Sequence, residues 1–197
     1  MKSLFYLFLF FSITALSQKN DELGFKLRPE LSISIINQSF FGDNYLSKGH
    51  KKPTFGGLFK LNLLSYNQLY LGFEFEKNTS KVEDFSIGGN IDKTKMNSFR
   101  GLLSYRIKAS DKFIFDPQIK YGIVELRQEN GSKYYGNQEG NMLGIGFDAI
   151  YKFSKVFSLF SNIGYNYYRL HVNTTPEFEN YFNHSHSFNI SVGLKTN

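Results

Sequence analysis

The chain contains no cysteine. That absence excludes a disulfide framework, a thiolate zinc site, a lipid-modified N-terminal cysteine and a cysteine nucleophile together. The fold must therefore stand on packing and hydrogen bonds. Beyond the first residues there is also no apolar run near the ~20 residues that a membrane-spanning helix needs. What is abundant instead is aromatic side chain, 18% of 197 residues, against 20% charged. Such a chain is too rich in Phe and Tyr for disorder and too charged for a helical membrane protein. Its length suits one domain, and a β-rich one is the first expectation.

The N-terminus reads as an address. Lys2 precedes an apolar stretch from Leu4 to Leu16, and Ala15-Leu16-Ser17 offers small residues for cleavage before Gln18. Residues 1–17 are therefore assigned to an export signal and 18–197 to the mature domain. Only Lys2 is lost with the signal, so the formal charge of +6 falls to +5. A modest positive excess suits lipid phosphates, and export argues against nucleic acid as a partner.

From Phe25 onward the chain alternates with period two. Phe25, Leu27, Leu31, Ile33 and Ile35 are apolar, while Lys26, Arg28, Glu30, Ser32 and Ser34 between them are polar. The same signature recurs around Phe59, Phe73, Leu103, Ile119, Ile145, Ile163 and Ile190, giving eight strands. Turns at 65–68, 109–111 and 154–155 are short. The other connections, near 36–54, 77–95, 127–141 and 171–185, read as long loops, so short and long ends fall on opposite sides. Pro29 and Pro117 interrupt strands at the short-turn end, where bulges or a ragged rim would accommodate them.

Alternation alone does not say which face is inside: a soluble barrel buries its apolar face and a membrane barrel turns it to lipid. Two patterns favour lipid. The polar face carries Gly72, Gly122, Gly144, Gly146, Gly164 and Gly193, as a crowded narrow lumen requires. Aromatics collect near strand ends, as interfacial girdles do. The expected fold is all-β: a closed antiparallel up-and-down eight-stranded transmembrane β-barrel with short periplasmic turns and long extracellular loops.

With its alternating segments from Phe25 to Lys195 and its Ser17-Gln18 junction, the chain resembles the small eight-stranded outer-membrane barrels typified by the OmpA membrane domain and OmpX. It is most similar to the barrel-domain proteins of the Bacteroidota. The resemblance implies a bacterial outer-membrane location, outer-membrane lipids and lipopolysaccharide as surroundings, and assembly by the barrel-assembly machinery. It implies neither a cofactor nor an enzymatic activity.

Turned inward, the polar face places Lys60, Glu74, Glu76, Arg100, Arg106, Asp116, Lys120, Asp148 and Lys152 in the bore, with Lys60 near Glu74 across the turn at Tyr66. Both signs occur, so an ion-pair network filling the lumen is expected, with an ion-conducting path as the alternative. His184-Ser185-His186-Ser187, near His171, Glu177 and Glu179, invites comparison with a lipid-modifying catalytic triad or a metal site. Neither pattern is complete, and no catalytic, cofactor or metal residue is assigned. The loops offer Lys48, Lys51 and Lys52, which suit anionic lipid or Glu177 and Glu179 of the neighbouring loop. They also offer Tyr134, Tyr135, Tyr181 and Phe182, residue types common at binding hot spots. An envelope-structural or surface-interaction role leads. A narrow porin-like channel or a lipid-modifying enzyme is the alternative.

Overall fold

The computed structural model describes residues 24–197, so the export segment expected at residues 1–17 lies outside the described residues. The strands are β1 (Phe25–Phe41), β2 (Thr54–Tyr66), β3 (Leu69–Lys81), β4 (Lys93–Tyr105), β5 (Ile107–Lys108), β6 (Phe113–Asn130), β7 (Lys133–Lys152), β8 (Phe157–Leu170) and β9 (His184–Thr196). Neighbours pair antiparallel, β4 pairs with β6, and β9 returns to β1. The result is a closed ring of eight long strands, with the two-residue β5 continuing β4 along β6.

Closure gives each of the eight long strands two partners, which is why the period-two code can be enforced along them. In β3 each odd-numbered residue from Leu69 to Lys81 is exposed and each even-numbered one is buried. The exposed set is apolar through the middle of the strand: Leu71, Phe73 and Phe75, against buried Gly72, Glu74 and Glu76. Ile35 at 71% exposed and Arg100 at 0% invert the order of a water-soluble protein. An apolar exterior around a charged interior is stable only where the surrounding solvent is hydrocarbon. Aromatic pairs mark the short-turn rim, with Phe25 and Tyr66 at 4.9 Å and Phe113 and Tyr151 at 5.0 Å between ring centroids.

Both strand prolines sit where pairing is already broken. The β1–β2 register shifts between Leu27 and Glu30, around Pro29, and β1 meets β9 only from Ser32 onward. Pro117 pairs with Phe147 on one side, while on the other the ladder jumps from Ser104–Gln118 to Ile107–Phe115. There the N–H of Arg106 instead donates to the carbonyl of Gln68, at 2.7 Å. No ladder hydrogen bond is demanded of either proline nitrogen.

The strands run further than the apolar code alone indicates. The segment 127–141 is not a loop: β6 and β7 continue as a hairpin to a two-residue turn at Gly131 (φ +57°) and Ser132. Above the membrane the lipid-facing alternation stops but backbone pairing does not, and the Asn130-Gly131 pair is a hairpin signal in its own right. The remaining long connections are 42–53, 82–92 and 171–183. They carry helix α1 (Tyr45–Gly49), helix α2 (Phe85–Gly88), a 3-10 turn (Pro176–Phe178) and helix α3 (Glu179–Asn183). Among the described residues no helix is long and apolar enough to cross a membrane.

Candidate functional site

The bore is filled in layers. Nearest the short turns, Arg106 donates two hydrogen bonds to Glu30 (2.6 and 2.8 Å) and two to Asp116 (3.1 and 2.8 Å). Lys195 joins them, 2.9 Å from Glu30 and 3.6 Å from Asp116. In the next layer Lys60 lies 2.7 Å from Asp148 and 3.8 Å from Glu74, its register partner on β3. Gln118 and Asn162 donate to the second oxygen of Asp148, at 2.8 and 2.6 Å. Glu74 also receives Lys120, at 3.0 Å, and Arg100, at 2.9 Å, and Arg100 reaches on to Glu76.

Five buried cations (Lys60, Arg100, Arg106, Lys120, Lys195) thus meet five buried anions (Glu30, Glu74, Glu76, Asp116, Asp148), a net charge of zero. An unbalanced charge held away from water costs several kcal/mol, so balance is the condition for this bore to fold at all. Lys152, placed in the bore by alternation, has no carboxylate within 4 Å among the described residues. It lines the short-turn mouth instead. Glu30 and Lys195 take part although they lie near the two ends of the barrel chain, because pairing of β1 with β9 brings those ends together.

Gly122 makes room for the largest of these groups. It pairs with Arg100, and a Cβ there would fall 2.0 Å from the carbonyl oxygen of Phe99 and 2.6 Å from the Cα of Arg100. Only glycine lets the two strands approach so closely beside a guanidinium.

Toward the long loops the filling changes from ionic to neutral polar and then to apolar. Gln38 donates to the hydroxyls of Tyr168 (2.6 Å) and Ser187 (2.9 Å) and accepts from Asn78 (2.8 Å). Above them Phe40, Met96, Val124, Leu126, Met142 and Tyr168 form a buried cluster that receives Tyr45 and Leu46 of α1. Asn44 caps α1 by accepting from the N–H of Ser47 at 2.9 Å, and its amide donates to the carbonyl of Phe41 at 2.7 Å. The 42–53 connection is therefore a lid seated in the barrel mouth.

His50 closes the lid's far side: its Nε2 lies 2.7 Å from the Thr94 hydroxyl, and the Tyr45 ring stands edge-on to its imidazole at 5.1 Å. Burial pulls its pKa from the usual 6.5 down to about 4. Tyr181 and Phe182, offered from sequence as loop aromatics of the binding hot-spot type, pack against this lid, with Phe182 5.5 Å from Tyr45. Nothing local marks them, since the contact joins residues more than a hundred positions apart.

Tyr134 and Tyr135 do stand exposed, on the β6–β7 hairpin, and the Arg127 guanidinium lies over the Tyr134 ring at 4.7 Å. Glu129 gathers Lys95 (2.8 Å), Arg127 (3.2 Å) and Lys93 (3.6 Å) at the same level, and the hydrogen bond from Lys95 holds its carboxyl below the usual range. Lys48 is 3.8 Å from Asp43, and Lys52 donates to Ser47 at 2.8 Å. Neither these lysines nor Lys51 lies within 4 Å of Glu177 or Glu179 among the described residues.

The His184-Ser185-His186-Ser187 run divides between two faces. Ser185 and Ser187 are buried inside, whereas His184 and His186 lie outside against Tyr167 and Tyr165, whose hydroxyls meet their Nδ1 atoms. Strand alternation separates the hydroxyls from the imidazoles. Among the described residues no three His, Cys, Asp or Glu side chains converge on a metal position.

A closed antiparallel ring, apolar outside and charged within, with tight turns at one rim and long connections at the other, defines a transmembrane β-barrel of the bacterial outer membrane. The chain belongs to the outer membrane protein beta-barrel domain family, which it matches over residues 3–195. Among solved structures, Neisserial surface protein A is similar with a TM-score of 0.64 and 14% identity, covering 88% of this chain and 96% of that one. Ail, the attachment invasion locus protein of Yersinia pestis, is similar at 0.51 and 14%, covering 86% and 99%. Ail in complex with the heparin analogue sucrose octasulfate gives 0.52 and 12%, over the same shares. These likenesses are of fold. No curated protein matches the chain.

Proposed function

We propose that the protein is an anchored surface-interaction element of the outer membrane: an occluded barrel that holds a stiff extracellular platform in place. The observation that carries this reading is the double closure of the bore, by the balanced ion pairs and by the Tyr45–Leu46 lid. With passage blocked, the side chains left to meet the outside are those of the long-loop end. Lys48 and Lys51 are exposed and lack a close carboxylate except Asp43, and Tyr134 and Tyr135 project from a paired hairpin that fixes their positions. The partner we favour is an anionic outer-leaflet lipopolysaccharide or an acidic surface partner, met first through the lysines.

Binding of the folded wild type and of the K48Q/K51Q/K52Q variant to lipopolysaccharide tests this at two salt concentrations. The variant should bind more weakly, and the difference should shrink at high salt, because exposed charges act through fields that fade over ~8 Å at physiological ionic strength. Because Lys52 also donates to Ser47 within the lid, the K48Q/K51Q pair serves as a second variant. Identical binding by all three proteins would remove the basic loop from the reading and leave Tyr134 and Tyr135.

A further inference from the structure

The bore is sealed at the long-loop end but hollow at the other. A cavity of about 360 Å³ opens among the short turns, walled by Leu27, Pro29, Ile114 and Ile150. Five cationic side chains line it, with one acidic side chain, Glu30. Two of the five, Arg106 and Lys195, are matched by Glu30 and Asp116. Arg28, Lys108 and Lys152 have no carboxylate within 4 Å among the described residues. The adjoining turns add Lys112 and Lys155 against Asp111 alone, so no acidic side chain of those turns offsets the three.

The site is also held in shape. Arg28 donates to the Tyr70 hydroxyl at 3.1 Å, and the Tyr70 ring is itself fixed under the Arg106 guanidinium at 3.9 Å. A second cavity of about 340 Å³ shares Arg28, Tyr70, Arg106 and Lys108 with the first. It reaches Tyr105 and Ile107, which are exposed on the outer side of the barrel beside the Asn67–Gln68 turn. The mouth therefore extends to the outer side of the barrel at its short-turn rim, beside Tyr105 and Ile107.

We propose that this mouth binds a phosphate group carried on an apolar tail, a headgroup of the inner leaflet of the outer membrane. The phosphate sits among Arg28, Lys108 and Lys152, and the tail stays in the leaflet beside Tyr105 and Ile107. Three cations without a carboxylate within 4 Å, set around a concave, partly apolar pocket, suit an anion with an apolar body, and the reach of the second cavity to Tyr105 and Ile107 supplies the route. A free soluble phosphate is the other source of the same chemistry.

The test uses the full folded chain in phosphatidylcholine nanodiscs, titrated calorimetrically with octyl phosphate after subtraction of empty nanodiscs. Saturable binding at one site is expected, weaker by about tenfold or more in R28Q/K108Q/K152Q. Binding should be retained in the charge-preserving R28K/K108R/K152R and unchanged in K48Q/K51Q/K52Q. Doping the nanodiscs with phosphatidylglycerol should compete with octyl phosphate. Inorganic phosphate binding as tightly as octyl phosphate would overturn the leaflet source. Absence of saturable binding, or wild-type affinity in R28Q/K108Q/K152Q, would overturn the site. The single variant K108Q, at an exposed position, gives a smaller loss in the same direction should the triple variant not fold.

Discussion

Arg100 concentrates the physics of this molecule at a single residue. It is wholly buried, pairs with Glu74 and Glu76, and lies opposite Gly122, whose missing side chain leaves it space. Glu74 has Lys60 and Lys120 as further partners, but Glu76 has no other cation within 4 Å among the described residues. Removing Arg100 therefore strands Glu76 more than Glu74. R100M should destabilise the barrel by ~3–5 kcal/mol, the cost of leaving a buried charge unpaired, and adding E76Q should restore part of that loss. Urea unfolding in lipid vesicles reads both. If E76Q on the R100M background made matters worse, Glu76 would have to be stabilised by something other than Arg100. The asymmetry between Glu74 and Glu76 is not readable from the sequence. Lys60 facing Glu74 follows from one hairpin turn, whereas Lys60 facing Asp148 depends on how far the strands are staggered when the ring closes.

The lid shows why some elements escape a sequence reading. The strands are legible because lipid imposes an alternation on every residue that faces it, and even the interruptions at Pro29 and Pro117 announce a break. Residues 42–53 have no such period. Tyr45 and Leu46 look like ordinary loop residues, and only the buried cluster of Phe40, Met96, Leu126 and Tyr168 reveals where they go.

His50 makes the lid pH-sensitive, with Tyr45 and Thr94 as its immediate neighbours. Burial holds its folded pKa near 4 while the opened lid returns it to about 6.5. The opened form thus binds the proton more readily. Stability of the lid is at its full value above pH 6.5, falls as pH drops toward 4, and levels off below. From pH 7.5 to pH 5 the loss should be about 2 kcal/mol, at 1.36 kcal/mol for each unit below the unfolded pKa. Hydrogen exchange of the α1 amides, corrected for intrinsic rates, should show that acceleration in the wild type and not in H50Q. Equal pH dependence in both proteins would mean that another group opens the lid.

At the scale of the whole molecule, two barriers of different chemistry lie in series along the bore. An ion entering from the long-loop side first meets the apolar cluster around Tyr45 and Leu46, whose side chains do not replace the water it would lose. Beyond that stand the ion pairs, whose five cations and five anions balance and leave no net charge to attract a counter-ion. An eight-stranded ring is wide enough to be filled by its own side chains and no wider. Purified protein in planar bilayers should therefore show no stable, reproducible conductance. Y45A/L46A removes the apolar barrier but leaves the charged layers below it, so this variant should be silent as well, and its hydrogen exchange should confirm that the lid has opened. Steady conductance in Y45A/L46A alone would show that the ionic layers conduct and that the lid is a gate. Conductance in the wild type that survives extensive purification would show that neither barrier holds and would replace the anchoring role with transport.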